Sequence, residues 1–360
     1  VSAKIVSGGG KVNVNSRRDE RNQEVLTHIV RIYINSDAPV SSQSVVERMG
    51  DSVSSATIRN IMAELEEAGY ITQPHTSAGR MPTDTGYRKY VELVKDRLKT
   101  EKKRAEALGR EYDERIRTVR DIIEKTSSLI SRELHQTSVA MMPPVDSFSL
   151  RRLELVKVQA ETVLAVLVTM TNDVKNYIIR INRDIEKAEL EKISNYINAN
   201  CEELNLIDVH ARIKELACHG DRREILEVAN SALEIIDMLL DDDAIDKVFY
   251  DGIENFAGMV NHADIDVARR MLQMFTDRSV ISRLLRDELP YSGVRVYIGK
   301  ENRSDILKEC SIITSGYGYR GKTIGRIGVI GATRMDYDRV MWTVKYLSEV
   351  ISVKLEEIGR

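Results

Sequence analysis

Val40-Ser41-Ser42-Gln43-Ser44-Val45 and Val53-Ser54-Ser55-Ala56-Thr57-Ile58 are two copies of one short pattern, thirteen residues apart. In each copy the first serine suits the cap of a helix, because its hydroxyl can accept a hydrogen bond from an orphan backbone N–H of the first turn. The valine before it can close a hydrophobic staple on the apolar residue at the fourth helical position. Two helix starts so close together, with Gly50 to stop the first, predict a short helix over Ser42–Met49 and a second running to Ala68, ended by Gly69. Upstream, Val25, Leu26, Ile29, Val30 and Tyr33 mark a helix over Glu20–Asn35. Downstream, Tyr70–Pro74 and Arg80–Pro82 flank the polar tip His75–Gly79, and proline at both edges suits a two-stranded ribbon. A helix-turn-helix followed by a ribbon is a winged helix.

The second helix of such a motif carries sequence recognition, with its amino-terminal part in the major groove. With Ile58, Ile61, Met62 and Leu65 facing inward, Ser54, Ser55, Thr57, Arg59 and Asn60 are the candidate DNA-contacting residues. Arginine can grip guanine, asparagine can pair with adenine, and serine and threonine suit phosphates and base edges. The ribbon adds His75 and Arg80. The segment from Ile71 to Arg104 holds nine Lys or Arg against four acids, which brings in Arg88 and Lys89.

Beyond Thr83 a helix is expected through Leu98. Ala105, Leu108, Tyr112, Ile116, Val119, Ile123, Ile130 and Leu134 then form a seam of coiled-coil type, closed by Met142-Pro143-Pro144-Val145. Strands follow at Leu153–Gln159, Thr162–Thr169 and Val174–Asn182, the last two joined across Asn172-Asp173. Helices are expected at Glu186–Asn200, Leu206–Cys218 and Glu224–Leu240, then a strand at Asp246–Tyr250 and a helix at about Ala263–Leu289. Strands at Val294–Ile298, Ser311–Ser315 and Lys322–Gly331 and a helix at Tyr337–Ile358 complete the chain. Strands, a helical stretch and strands again read as an α+β multidomain chain with an insertion between the halves of one domain.

Pro39-Val-Ser-Ser, Ser54-Ser-Ala-Thr-Ile-Arg-Asn-Ile-Met-Ala-Glu-Leu-Glu and above all Gln73-Pro-His-Thr-Ser-Ala-Gly-Arg-Met-Pro-Thr-Asp-Thr-Gly-Tyr-Arg-Lys-Tyr-Val resemble the HrcA heat-inducible transcription repressors. The resemblance extends through Leu153–Thr169 and Tyr317–Arg334. It implies a dimeric repressor that binds the CIRCE inverted repeat of double-stranded DNA ahead of chaperone operons and is kept competent by a GroEL-type chaperonin. It also implies a winged helix, a GAF-like domain and a dimerising domain inserted into the latter. On this chain the division is a flexible arm at 1–15, a DNA-binding domain at 16–98, a GAF-like domain with a leading helix at 99–183 and 263–360, and a mainly helical insert at 184–262. In the insert, Leu233, Ile236, Met238 and Leu239 are candidate outward-facing apolar residues of a homodimer interface, which heating would separate.

Composition and motifs remove other classes. With 53 Lys and Arg against 56 Asp and Glu and 42% apolar residues, wholesale disorder is excluded. Val163–Met170, the longest strongly apolar run, is too short to cross a bilayer. Cys201, Cys218 and Cys310 form no disulfide framework or thiolate zinc site and fit a reducing, cytoplasmic setting, nucleoid-associated on an operator. Asp241-Asp242-Asp243 lacks the alternation and glycine of a calcium loop. Gly316-Tyr-Gly-Tyr-Arg-Gly321-Lys322-Thr323 matches the phosphate-loop string, but Ile324–Gly331 alternates like a strand where that loop needs a helix. No catalytic residues, metal or cofactor are expected. A ligand-sensing regulator using the GAF-like domain and a nucleotide-binding enzyme using 316–323 are the rival readings.

Overall fold

The computed structural model describes residues 14–36, 38–50, 53–76, 78–95, 105, 108–109, 118–219, 223–242, 248–257, 275 and 279–359. It is an α+β, multidomain architecture in two compact units: Val1–Lys99 with Tyr297–Ser311 and Ala332–Met341, and Thr100–Val296 with Ile312–Gly331 and Trp342–Arg360. Of the expected arm at 1–15, residues 1–13 lie outside the described residues, and Val14 and Asn15 begin the first helix.

The first unit runs α1 (Val14–Ser36), α2 (Ser42–Met49), α3 (Ser55–Glu67), β1 (Ile71–Thr72), β2 (Met81–Pro82) and α4 (Asp84–Lys95). Its core is made by stripes one helical turn apart: Val25, Leu26, Ile29 and Val30 of α1, Val45 of α2, Ile58, Ile61, Met62 and Leu65 of α3, and Tyr87, Tyr90, Val91 and Val94 of α4. β1 and β2 pair antiparallel, Ile71 opposite Pro82 and Thr72 opposite Met81. Gly86 lets α4 lie against the chain leaving α3, since a Cβ there would stand 2.0 Å from the Tyr70 carbonyl oxygen. The segments 297–311 and 332–341 join this unit through polar ties. Arg31 pairs with Asp338 at 2.8 Å, Arg334 donates to the Ile34 carbonyl at 2.9 Å, and the rings of Tyr87 and Tyr337 lie 5.4 Å apart.

In the second unit α5 (Val119–Leu134) is followed by β3 (Thr137–Met141), and β7 (Val248–Asp251), α9 (Ile253–Ala257) and α10 (Ser279–Asp287) come later in the chain. They are followed by β8 (Val294–Ile298), β9 (Cys310–Tyr319), β10 (Lys322–Ala332) and α11 (Tyr337–Ile358), whose ends at 297–298, 310–311, 332 and 337–341 belong to the first unit. The five strands form one sheet in the order β7-β3-β10-β9-β8. β3 pairs antiparallel with both β10 and β7. The sequence reading did not expect β3, because all five of its residues are buried and none of the alternation that marks a half-exposed strand is present. Val119, Ile123, Ile130 and Leu134 of the seam are buried in α5 and Leu108 is buried as well; Tyr112 and Ile116 lie outside the described residues. Of the helix expected at Ala263–Leu289, only residues 275 and 279–289 fall among the described residues, and α10 ends at Asp287.

The sheet encloses one wholly buried arginine. Arg326 of β10 donates to the carbonyls of Glu288 at 3.0 Å, Tyr291 at 2.6 Å and Gly293 at 3.1 Å, and to the Thr314 hydroxyl at 3.1 Å. Its guanidinium lies 3.4 Å from the buried Glu288 carboxylate, which also accepts from Thr314 at 2.9 Å. A buried charge persists only when paired and hydrogen-bonded, and here both are met.

Between β3 and β7 the chain makes a second layer with its own core. β4 (Leu150–Gln159), β5 (Thr162–Thr169) and β6 (Val174–Arg180) form an antiparallel sheet, covered on one face by α6 (Lys187–Asn200), α7 (Leu206–His219) and α8 (Arg223–Asp242). Leu153, Leu155, Val163, Ala165, Leu167, Tyr177 and Ile179 point into that core to meet Leu190, Ile193, Ile197, Val209, Ile213 and Ile235. The expected domain limit at residue 184 therefore falls between a sheet and the helices that cover it.

The four residues expected to face a partner are placed differently. Ile236 and Leu239 are fully buried in this core, and Leu233 and Met238 pack against it. The apolar face of α8 packs on its own sheet and helices, with Ile236 and Leu239 inside and Leu233 and Met238 half-buried at its margin.

Truncating Leu239 to alanine should cost about 2–5 kcal/mol, the usual price of a large-to-small change in a closed core. Leu239→Asp should unfold this layer, read as loss of helical circular dichroism and of its urea transition in the full chain. A fully folded L239D variant with the wild-type midpoint would contradict the placement.

Candidate nucleic-acid interface

The repeated Val-Ser-Ser pattern does in the structure what its chemistry suggests. Ser41, extended at φ −83° and ψ 156°, accepts from the Ser44 amide at 3.1 Å, and Ser54 accepts from the Thr57 amide at 3.1 Å. Val40 and Val53 are buried with Val45 and Ile58. Gly50 closes α2 at φ +75°, a left-handed conformation that favours glycine. The two helix starts are thus fixed against each other, and Ser42 and Ser55 hydroxyls meet at 3.1 Å.

With Ile58, Ile61, Met62 and Leu65 buried, α3 shows an exposed stripe of Ala56, Arg59, Asn60, Ala63 and Glu67. The two alanines leave its middle low, and Arg59 and Asn60 stand on either side of it. Arg59 Nε donates to the Ser42 hydroxyl at 3.3 Å, which leans it toward α2. Ser54 is exposed; Ser55 and Thr57 are half-buried, and Thr57 shares its hydroxyl hydrogen bond with Ser54 at 2.9 Å. The structure therefore brings Ser54, Ser55, Thr57, Arg59 and Asn60 onto one end of one helix.

The ribbon lies along the α2 side. Arg80 and Val40 exchange backbone hydrogen bonds of 2.8 Å each, and the Arg80 guanidinium pairs with Glu66 of α3 at 2.9 Å. His75 is exposed at the tip, which Gln73 braces by donating to the carbonyls of Thr76 and Ala78, each at 2.9 Å. Arg88 and Lys89 sit on α4. Arg88 is held by both carboxylate oxygens of Glu301, and Lys89 lies 3.8 Å from Glu92. Glu66, which the sequence also offers as a partner for Arg59, pairs with Arg80 instead, and Glu301 leaves no local pattern because it lies 213 residues from Arg88.

On the opposite side of α3 a cleft of about 670 Å³ separates it from α1. Thr57, Asn60, Ile61 and Glu64 line one wall, and Arg18, Glu20, Arg21, Asn22 and Glu24 the other. Arg18 pairs with Glu64, which also accepts from Asn22 at 3.0 Å. The hydrogen bond from Arg18, joined by that of Asn22, holds the Glu64 carboxyl below its usual range. Sequence reading gave Arg18 and Arg21 no role.

Other chemistry finds less support. Gly316–Thr323 forms the end of β9, a two-residue turn at Arg320-Gly321 and the start of β10. Both turn residues have positive φ, 49° and 77°, as the tight turns of β-hairpins require. No helix follows Lys322, so the backbone amides of this loop do not converge on an anion. Cys201 and Cys310 are buried, which pushes their thiols up to about 11 and about 12, so neither supplies a thiolate near neutrality. Among the described residues no cluster of His, Cys, Asp or Glu could hold a metal ion, and no helix is long and apolar enough to cross a membrane.

A family model described as HrcA protein C terminal domain matches residues 120–341. A protein of Syntrophobacter fumaroxidans named heat-inducible transcription repressor HrcA is 34% identical over 342 residues, which span 94% of this chain and 98% of that protein. Proteins of the same name from Pelotomaculum thermopropionicum and Geobacter sulfurreducens are 33% and 34% identical, covering 95% and 94% of this chain and 98% of each relative. Among solved structures, a crystal structure of a hypothetical protein superposes with a TM-score of 0.62 at 24% identity, covering 94% of this chain and 99% of its own; it speaks to the fold alone.

Replacing the Ser54 cap by alanine should destabilise α3 by about 0.5–2 kcal/mol, and Ser54→Asp, which keeps an acceptor, should restore most of it. Thermal unfolding of the two variants side by side tests this. Equal melting temperatures for S54A and the wild type would remove the cap from the account.

Proposed function

The chain belongs to the HrcA family of heat-inducible transcription repressors, and on that basis we propose that it represses transcription by seating α3 in the major groove of an operator. One observation carries the reading: α3 buries one complete face and offers on the other a low alanine floor between Arg59 and Asn60, next to a serine-capped amino terminus. Small residues let a helix approach the bases closely, while arginine and asparagine have the donor geometry for guanine and adenine edges. In this reading α2 and α3 are the helix-turn-helix, β1 and β2 the wing, and the five-stranded sheet with α5 and α11 the GAF-like domain. His75 at the wing tip reaches the flanking backbone. Arg80, Arg88 and Lys89 contribute phosphate contacts when their carboxylate partners give way.

An inverted-repeat operator of the CIRCE type calls for two heads related by a two-fold axis, hence a homodimer. The surface that suits this role is the outer face of the β4-β5-β6 sheet. Val156, Val158, Val174 and Ile178 are exposed there, Ile178 at 71%, and Val156, Leu164 and Ile178 are cross-strand neighbours. A patch of that kind on one sheet face is typical of a surface that another protein covers. Separation of the subunits on heating would bare it and leave a substrate for a GroEL-type chaperonin. The setting is the cytoplasm, with the protein on the nucleoid when bound.

Fluorescence anisotropy with an inverted-repeat duplex and a random duplex, over a range of salt, tests the core of this reading. The operator should bind more tightly than random DNA. Arg59→Ala or Asn60→Ala should cost about 1–3 kcal/mol on the operator and reduce the discrimination. Lys322→Ala should change neither. Unaltered operator affinity in both helix variants would refute the assignment of α3. In sedimentation, Ile178→Glu should yield a monomer with half-site affinity.

A further inference from the structure

We infer that Arg18 and Arg21 of α1 form a second row of DNA-backbone contacts, on the flank of α3 opposite the ribbon. The inference rests on the reading of α3 as the groove-entering helix and adds the residues that border it on the other side.

The two flanks of α3 are distinct. Ser55, Arg59 and Glu66 face α2 and the ribbon, through Ser42 and Arg80. Thr57, Asn60 and Glu64 face α1 across the cleft, whose other wall carries Arg18 and Arg21. A major groove is about 12 Å wide and is bordered by a phosphate row on each side. A helix lying in it therefore needs positive charge along both edges. The ribbon flank has Arg80. On the α1 flank the cleft supplies Arg18 and Arg21, beside Asn60.

The present partner of Arg18 supports exchange with phosphate. Its pair with Glu64 is open to water, the arginine side chain being 66% exposed. Exposed pairs contribute little net stability, so a phosphate oxygen can replace the carboxylate at small cost. Guanidinium presents the same planar donor fork to either oxyanion. Glu64, Glu20 and Glu24 outnumber the two arginines of the cleft in the free protein and oppose a phosphate there. Glu64 thus acts as a competitor that restrains binding to arbitrary DNA.

The test uses the full chain, an operator duplex and a random duplex, and anisotropy titrations between 50 and 200 mM salt. Arg18→Ala and Arg21→Ala should weaken both duplexes alike and lower the salt slope by about 1 each. Over that fourfold span of salt, each loss narrows the fall in affinity by about fourfold. Arg18→Lys should restore the slope, because a point charge suffices for phosphate although it cannot reproduce the paired fork on Glu64. Glu64→Gln should strengthen both duplexes. Wild-type operator binding with an unchanged slope in the R18A/R21A double variant would overturn the inference and leave the reading of α3 standing. A slope lost in R18A and not regained in R18K, with a lowered melting temperature in both, would assign the pair to folding and overturn it as well. A wild-type chain that prefers no operator would overturn the reading of α3 and this inference together.

Discussion

α3 can present one side because its other side is fully occupied. Ile58, Ile61, Met62 and Leu65 recur at three- and four-residue spacing and are buried on the side where α3 packs against α1, α2 and β1. That burial fixes the rotation of the helix about its axis, and rotation decides which side chains meet DNA. A turn of 100°, one residue of helical phase, would bury Arg59 and expose Ile58. The serine cap fixes the start, and Gly86 allows α4 to close over the back. The exposure of Arg59 and Asn60 is thus a consequence of packing on the far side of the helix.

A second feature is that four arginines of the head are held by carboxylates. Arg18 has Glu64, Arg80 has Glu66, Arg88 has Glu301 and Arg31 has Asp338. All of these pairs are at least partly exposed, so each contributes at most about 1 kcal/mol and is screened by salt. They hold long side chains in one orientation while leaving them exchangeable. The buried Arg326–Glu288 pair behaves differently: with water excluded and several carbonyls accepting from the guanidinium, removing either partner leaves an uncompensated charge. The same two chemical groups serve as a movable contact in the head and as a permanent brace in the sheet, and burial alone makes the difference.

What could be read in advance follows the range of the interactions involved. Caps, staples and turn glycines act within a few residues, so α2, α3 and the Arg320-Gly321 turn could be placed from Ser41, Ser54, Gly50 and the alternation after Lys322. β3 was missed because a strand buried on both faces loses its alternation. The exposed stripe of α3 was legible from the spacing of its apolar residues. The cleft with Arg18 was not, because it joins residues 46 apart in the chain. That Ile236 and Leu239 face the chain's own core was hidden for a related reason: an apolar helix face looks the same in sequence whether it meets its own sheet or another subunit.

The faces of the sheet can be counted. A three-stranded sheet has two, and α6, α7 and α8 can cover only one. Along β5, Val163, Ala165 and Leu167 point inward and Leu164, Val166 and Val168 point outward, so this strand is apolar on both sides. A strand with one wet face ordinarily alternates apolar with polar residues, whereas apolar runs on both sides belong to strands covered on both. β6 keeps Asn176 and Arg180 among its outward residues, and β4 keeps Arg152 and Glu154, so polar groups border the apolar centre. An apolar centre with a polar rim is the composition of a protein–protein contact surface rather than of a solvated sheet. The apolar surplus that the sequence placed on α8 therefore lies one layer away, on the back of the sheet that α8 covers.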